Sequence, residues 1–98
     1  MVGGEAGEGL GLEELARLAE TTAAAVQVYV EQGLLGEEIR QSRANLFGEA
    51  ELYLVRRIER LRLEHGVPSH AAGMILDLAA RVEELEAEIR SLREAMGR

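Results

Sequence analysis

Residues 12–35 read LEELARLAETTAAAVQVYVEQGLL and predict two short helices joined by a tight turn. The apolar residues of the first eight positions recur at helical spacing, which predicts a helix over residues 12–19. Thr22, or the threonine before it, is suited to cap the next helix by accepting a hydrogen bond from an exposed backbone N–H. That second helix is expected to end near Gln32, because Gly33 suits the left-handed position that follows a helix. Together these elements have the outline of a helix-turn-helix.

The second helix, from Thr21 to Gln32, contains no arginine or lysine. A helix in this position commonly lies in a DNA groove, where Arg and Lys neutralise phosphates and supply most of the affinity. Its buried side is predicted to contain Val26, Tyr29 and Val30. Four residues share the opposite side of the predicted helix: Ala24, Gln27, Val28 and Glu31. A surface of this composition suits contact with a protein better than contact with phosphate.

Composition limits the kinds of protein this chain can be. Its 98 residues are enough for one domain with a modest core. The formal net charge is −7, and all 11 basic residues are arginine, a balance that disfavours nucleic acid and favours a basic partner. There is no cysteine, so disulfides and thiolate metal sites are excluded. No signal peptide or membrane span is visible in the sequence, so a cytoplasmic location is expected.

The predicted domain organisation has three parts. Residues 1–10 are rich in Gly and Glu and are expected to be a disordered leader. A winged helix-turn-helix domain is predicted over residues 11–67. Within it, the polar stretch 36–45 predicts a two-stranded wing with short strands, followed by Phe47 in the core. A third helix is predicted from Glu49 to His65.

The third part, residues 68–98, is predicted to form a long helix with a narrow apolar seam. Seven apolar residues follow one another at alternating steps of three and four: Ile75, Leu78, Val82, Leu85, Ile89, Leu92 and Met96. This spacing is typical of a coiled coil, whereas a helix of a globular domain usually has a wider apolar stripe. The seam is therefore predicted to be a dimer interface, and the alternative is that it folds back on its own domain. The expected fold class is mainly all-α, a winged helix-turn-helix domain followed by a coiled-coil helix.

Residues that could support catalysis or metal binding are few. His65 and His70 have no third ligand near them in sequence, and a metal site needs three or four. Ser69 is next to His70, but adjacent side chains on a helix point about 100° apart and form no dyad. We therefore predict no catalytic residue, metal or cofactor. Four arginines of the third helix form either paired scaffold charges or a basic strip: Arg56, Arg57, Arg60 and Arg62.

The order of elements, together with LEELARLAETTAAAVQVYVEQGLL, LFGEAELYLVRRIERLRLEHGVP and ILDLAARVEELEAEI, resembles the winged-helix domain of the MerR family. The resemblance covers about residues 10–96. Within that family the chain is most similar to the chaperone-modulator branch (CbpM-like). By likeness, this branch also includes the DnaK–DnaJ assembly factor of thermophilic bacteria. That resemblance implies binding to a J-domain co-chaperone or a DnaK-type chaperone. The heat-shock repressor is the DNA-binding relative.

Three positions depart from the pattern of the DNA-binding members of the family. Those members typically have an arginine where Gln27 stands, a phosphate-contacting aromatic where Val28 stands, and a turn glycine where Glu20 stands. All three changes remove groups that serve DNA binding. The phosphate candidates that remain in the predicted wing are Arg40 and Arg43.

Three functional hypotheses follow. In the first, the chain is a dimeric, non-enzymatic chaperone modulator. It would bind a J-domain protein, a DnaK-type chaperone or both through six residues: Ala24, Gln27, Val28, Glu31, Arg40 and Arg43. In the alternative, the chain is a DNA-binding transcriptional regulator of the heat-shock-repressor type, with arginines contacting phosphates. In the third, it is a scaffold or adaptor unrelated to chaperones.

Overall fold

A computed structural model describes residues 9–42 and 46–97, and the described chain is mainly α-helical. Its helices are α1 (Leu12–Leu18), α2 (Ala23–Glu31), α3 (Glu37–Ser42), α4 (Glu49–His65) and α5 (Ser69–Met96). The extended pairing within the described residues is a single antiparallel bridge between Leu10 and Phe47. The predicted fold class, a helix-turn-helix domain followed by a long helix, is confirmed.

The core lies where α1, α2 and α4 meet. Its largest fully buried side chains are Leu15 of α1, Val26 of α2, and Val55 and Ile58 of α4. Each such burial stabilises the fold by roughly 1.5–3 kcal/mol. Phe47, which precedes α4, is also buried in this cluster, as predicted.

Both ends of α2 have the residues that the sequence predicted for them. At its start, the hydroxyl oxygen of Thr22 accepts a hydrogen bond from the Ala25 backbone N–H at 3.0 Å. At its end, Gly33 has a φ of 79° and donates its N–H to the Val30 carbonyl at 3.0 Å. Helix α2 is thus closed at one end by a side-chain cap and at the other by a left-handed glycine.

The predicted strand wing is wrong where the structure describes it, because Glu37–Ser42 forms the short helix α3. The segment EEIRQS has acidic residues in its first turn and Arg40 in its last, an order that favours a helix through the helix dipole. Its single β-branched residue, Ile39, is partly buried against the core. A segment with so few β-branched or aromatic residues has little preference for a strand.

The partner of Phe47 comes from the N-terminal side of the chain. Leu10 and Phe47 each donate a backbone N–H to the other's carbonyl at 2.7 Å. Leu10 lies in the predicted disordered leader, but this bridge and its packing against the core make it part of the folded domain. Residues 1–8 and 43–45, and with them Arg43, lie outside the described residues.

Helix α5 begins by packing against the rest of the domain. Ala72 and Gly73 are buried there, and a Cβ added at Gly73 would overlap Cδ2 of Leu34, just after α2. Next to this contact, the Ser69 hydroxyl donates a hydrogen bond to Oε1 of Gln32 at 3.2 Å. The start of α5 therefore packs directly on the C-terminal end of α2.

The second half of α5 extends beyond the domain. Every residue from Arg81 to Gly97 is exposed, and we call this segment, residues 81–97, the overhang. At roughly 1.5 Å per residue, the overhang is about 25 Å long.

The turn between α1 and α2 contains a left-handed residue that is not glycine. Glu20 has a φ of 60° and donates its N–H to the Arg17 carbonyl at 3.1 Å. Thr21 donates to the Ala16 carbonyl at 2.9 Å. This hydrogen-bond pattern is the Schellman motif, which usually places glycine at the left-handed position, as the chain does at Gly33. A side chain with a Cβ costs roughly 1–2 kcal/mol in that conformation.

Replacing Glu20 with glycine is expected to raise the free energy of unfolding by about 1 kcal/mol, because the gain in the folded state exceeds the entropy cost of glycine. Denaturant unfolding at one fixed protein concentration measures the change. Gly33→Ala is the matched control and is expected to change stability in the opposite direction by a similar amount. A Glu20→Gly variant no more stable than the parent chain would contradict the strain assigned to Glu20.

Candidate functional site

The side of α2 that faces solvent contains the four residues predicted to lie there. Ala24, Gln27, Val28 and Glu31 are all exposed, and we call them the outer face of α2. They follow one another at spacings of three, one and three, so they form one stripe along the helix. Val28, near its centre, keeps 44% of its surface exposed although it is apolar.

The one charged residue of α2 is a glutamate at the C-terminal end of the helix, where a negative charge is unfavourable. Glu31 is its last residue, and α2 has no basic residue in its last turn and no acidic residue in its first. A helix C-terminus carries partial negative charge, so a cation there would stabilise the helix and a carboxylate does not. Helix stability therefore gives no reason for Glu31 at this position.

Arg40, predicted as a partner-binding residue, is already paired. Its Nε donates to both carboxylate oxygens of Glu37 at 3.0 Å, and its terminal nitrogen also bonds to that carboxylate. The amide of Gln41 adds a third donor at 2.9 Å. The Arg40 hydrogen bond, as the largest cause, lowers the pKa of Glu37, and the same bond raises the pKa of Arg40. The two side chains are 44% and 57% exposed, so this ion pair is weak and Arg40 can exchange its partner for another anion.

The arginines of α4 are also engaged within the chain. Arg56 donates to the Leu18 carbonyl at 3.2 Å, which joins α4 to the end of α1. Arg57 donates to the Tyr53 hydroxyl at 2.6 Å and lies 5.4 Å from the centre of its ring. The remaining two form ion pairs inside α4, Arg60 with Glu64 at 3.9 Å and Arg62 with Glu59 at 3.0 Å. These contacts favour the interpretation of the four as scaffold charges.

A buried polar contact that the sequence analysis missed holds α2 against α4. The Tyr29 hydroxyl donates to Oε2 of Glu59, and Oε1 of Glu59 accepts from Arg62 at 3.0 Å. Glu59 is only 6% exposed, so the two donors compensate a carboxylate that would otherwise be costly to bury. Burial, and next the hydrogen bond to Glu59, raise the pKa of Tyr29 to about 12. This contact joins the inner side of α2, opposite its outer face, to α4.

The seam of α5 is not covered by its own domain. Its seven predicted residues are all exposed, from 40% for Leu85 to 81% for Met96. The residues that α5 buries, Ala72 and Gly73, lie outside the seam. The interpretation in which the seam folds back on its own domain is therefore wrong, and an apolar face remains open along the overhang.

Within the described residues, no group of three or more His, Cys, Asp or Glu side chains could hold a metal ion. His65 and His70 are both exposed. Across the same part of the chain, no helix is long and apolar enough to cross a membrane.

The described residues thus form a helix-turn-helix frame followed by a long helix whose second half is exposed. The sequence profile described as "MerR HTH family regulatory protein" matches residues 10–94. Because this match spans most of the chain, the protein belongs to the MerR helix-turn-helix family. Members are generally non-enzymatic and commonly dimerise. The chain has no significant match among curated proteins or among solved structures.

Proposed function

We propose that the protein is a non-enzymatic chaperone modulator that binds a J-domain co-chaperone, a DnaK-type chaperone or both through the outer face of α2. The observation that carries the proposal is the exposed, cation-free surface of the helix that would enter DNA in a DNA-binding relative. Val28 gives this surface an apolar centre, and Glu31 gives it a negative end. An apolar centre with a charged edge is the usual anatomy of a protein–protein contact.

Charge complementarity supports a basic partner. The chain has a net charge of −7, and α2 contributes Glu31 as its one charged residue. The chaperone-modulator branch that the chain resembles is associated with J-domain proteins, whose exposed helix is rich in lysine and arginine. Complementary charges accelerate association and exclude partners of the same sign.

A second copy of the chain is part of the proposal. Seven exposed apolar residues in coiled-coil spacing lie on α5, and burying each Leu or Ile stabilises by roughly 1.5–3 kcal/mol. A homodimer through this seam would cover the apolar face of the overhang. Partner binding at α2 and dimerisation along α5 use different residues, so they can be tested separately.

The competing function is operator binding, which the helix-turn-helix frame and the family description favour. Affinity for duplex DNA depends on cations placed beside phosphates. The described arginines of α3 and α4 are engaged with carboxylates, a carbonyl and a tyrosine ring. The exposed ion pairs among these contacts are weak and can exchange partners, so it is the lack of any cation on α2 that favours a protein partner.

The substitution Val28→Arg distinguishes the two functions because it is expected to change the affinity for a J-domain protein and the affinity for DNA in opposite directions. It is expected to weaken binding to a J-domain protein of the host at least tenfold, about 1.4 kcal/mol, because it sets a cation against a basic surface. The same change is expected to strengthen binding to duplex DNA if α2 enters a groove. Calorimetry with the J-domain protein and a gel shift on heparin-challenged duplex, at about 100 mM salt, measure the two affinities.

Ala87→Arg is the control, because it adds the same charge on the overhang, away from α2. It is expected to leave J-domain affinity within about twofold of the parent chain. Sequence-selective duplex binding that Val28→Arg strengthens, together with no capture of the J-domain protein or the DnaK-type chaperone, would overturn the proposal in favour of operator binding.

A further inference from the structure

The seam of α5 is flanked by charges of both signs. In coiled-coil notation Ile75, Val82, Ile89 and Met96 are a positions, and Leu78, Leu85 and Leu92 are d positions. The flanking e and g positions of the overhang contain four charged residues: Arg81, Glu86, Glu88 and Arg93. Residues at these positions lie beside the partner helix in a coiled coil and select its alignment.

These four side chains are available to a partner. All four are exposed. Arg81 bonds to Glu84 in the next turn at 3.0 Å, with the two side chains 59% and 64% exposed. An ion pair that exposed contributes little, so Arg81 can exchange its partner at small cost.

We infer that Arg81 sets the register of the proposed α5 dimer by facing a glutamate of the second copy. The inference rests on the proposed dimer and adds to it which residues define its register. In either orientation of the two helices, the flanking charges attract one another in one register and repel one another when that register moves by one heptad.

In a parallel dimer with matching residues side by side, each g position lies near the e position five residues later on the other chain. Arg81 then faces Glu86 of the second copy, and Glu88 faces Arg93. Both pairs are attractive. A shift of seven residues places Arg81 near Arg93 and Glu86 near Glu88, so both become repulsive.

In an antiparallel dimer each a position lies beside a d position, and g positions lie near g positions. The alignment that sets Val82 beside Leu85 of the second copy pairs six of the seven seam residues with one another and places Arg81 near Glu88. A shift of one heptad in one direction places Glu86 beside Glu86 of the second copy, and Glu88 beside Glu88 of the second copy. A shift in the other direction opposes Arg81 to Arg81. Arg81 therefore meets a glutamate in each favoured alignment.

The test first reverses the charge of residue 81 and then restores an attractive pair by reversing the charge of the residue that faces it. Arg81→Glu is expected to raise the dimer dissociation constant about tenfold, because symmetry converts at least two attractive pairs into repulsive ones. Arg90→Glu is the matched control, since Arg90 is exposed on the same helix but lies at a b position, away from the seam. It is expected to change the constant less than about twofold. Sedimentation equilibrium of the full chain measures all of these constants.

Rescue by a second substitution identifies the facing residue. Arg81→Glu combined with Glu86→Arg is expected to restore the dissociation constant in a parallel dimer, and combined with Glu88→Arg in an antiparallel one. Rescue by neither, or equal effects of Arg81→Glu and Arg90→Glu in a chain that dimerises, would overturn this inference and leave the proposed dimer standing. A parent chain that stays monomeric would overturn the proposed dimer as well.

Discussion

Replacing Leu85 with glutamate is expected to convert the proposed dimer into a monomer. Leu85 lies at the middle of the seam, and its burial against a second copy is worth roughly 1.5–3 kcal/mol on each chain. The substitution removes that gain twice and forces two carboxylates towards an apolar interface, where an unpaired charge is costly. The dimer dissociation constant is therefore expected to rise more than about a hundredfold. Sedimentation velocity detects the change as a lower sedimentation coefficient.

Ala87→Glu is the matched control for this experiment. It introduces the same side chain two residues away, at an exposed position of the same helix that lies outside the seam. It is expected to leave the sedimentation coefficient unchanged, and circular dichroism should show similar helix content in both variants. A Leu85→Glu chain that sediments like the parent dimer would argue against the seam as the interface.

Replacing Tyr29 with phenylalanine is expected to lower the free energy of unfolding by about 2 kcal/mol. The substitution removes the hydroxyl that donates to Glu59, and the buried carboxylate keeps Arg62 as its remaining side-chain donor. A buried charged acceptor that loses a donor accounts for a cost of this size. Urea unfolding at one protein concentration measures the difference.

The same contact is expected to make stability depend on alkaline pH. The pKa of Tyr29 is raised to about 12 in the folded chain, above the value of about 10 for an unfolded tyrosine. Its contribution is therefore complete below about pH 10 and declines as the pH rises through about 12, with a slope of up to about 1.4 kcal/mol per pH unit. The chain has no lysine or cysteine, so those side chains cannot obscure the effect.

Tyr53→Phe is the control for both measurements. Tyr53 is 57% exposed, and its hydroxyl accepts a hydrogen bond from Arg57 at the surface. The variant is expected to change stability by less than about 0.5 kcal/mol and to keep the alkaline decline. If Tyr29→Phe keeps the same decline between pH 10 and 12, the decline does not come from the contact between Tyr29 and Glu59.

The elements that were predicted from the sequence depend on short-range patterns. Thr22 precedes a helix and can satisfy only a nearby N–H, and Gly33 is one of the few residues that adopts a positive φ without cost. The seam was visible because its spacing repeats over three heptads. The outer face of α2 followed from helical periodicity alone, which is why all four of its residues are exposed as expected.

The features that the sequence did not predict depend on contacts between distant residues. Tyr29 and Glu59 are 30 positions apart, and a glutamate among four arginines has the pattern of a solvated surface charge. The prediction of a strand wing was wrong because the polar segment before Phe47 has an order of charges that suits a helix. The residue that pairs with Phe47 as extended backbone is Leu10, 37 positions earlier in the chain. The positive φ of Glu20 could not be inferred from its residue type.

The contact between the start of α5 and the end of α2 has a consequence for how a dimer would bind. Gly73 lies against Leu34, and Ser69 is hydrogen-bonded to Gln32, so the start of α5 is packed against the end of α2. Two chains joined along α5 would hold their two outer faces at a constant spacing. A partner with two matching sites would then gain avidity from the fixed geometry, without any additional contact at either site.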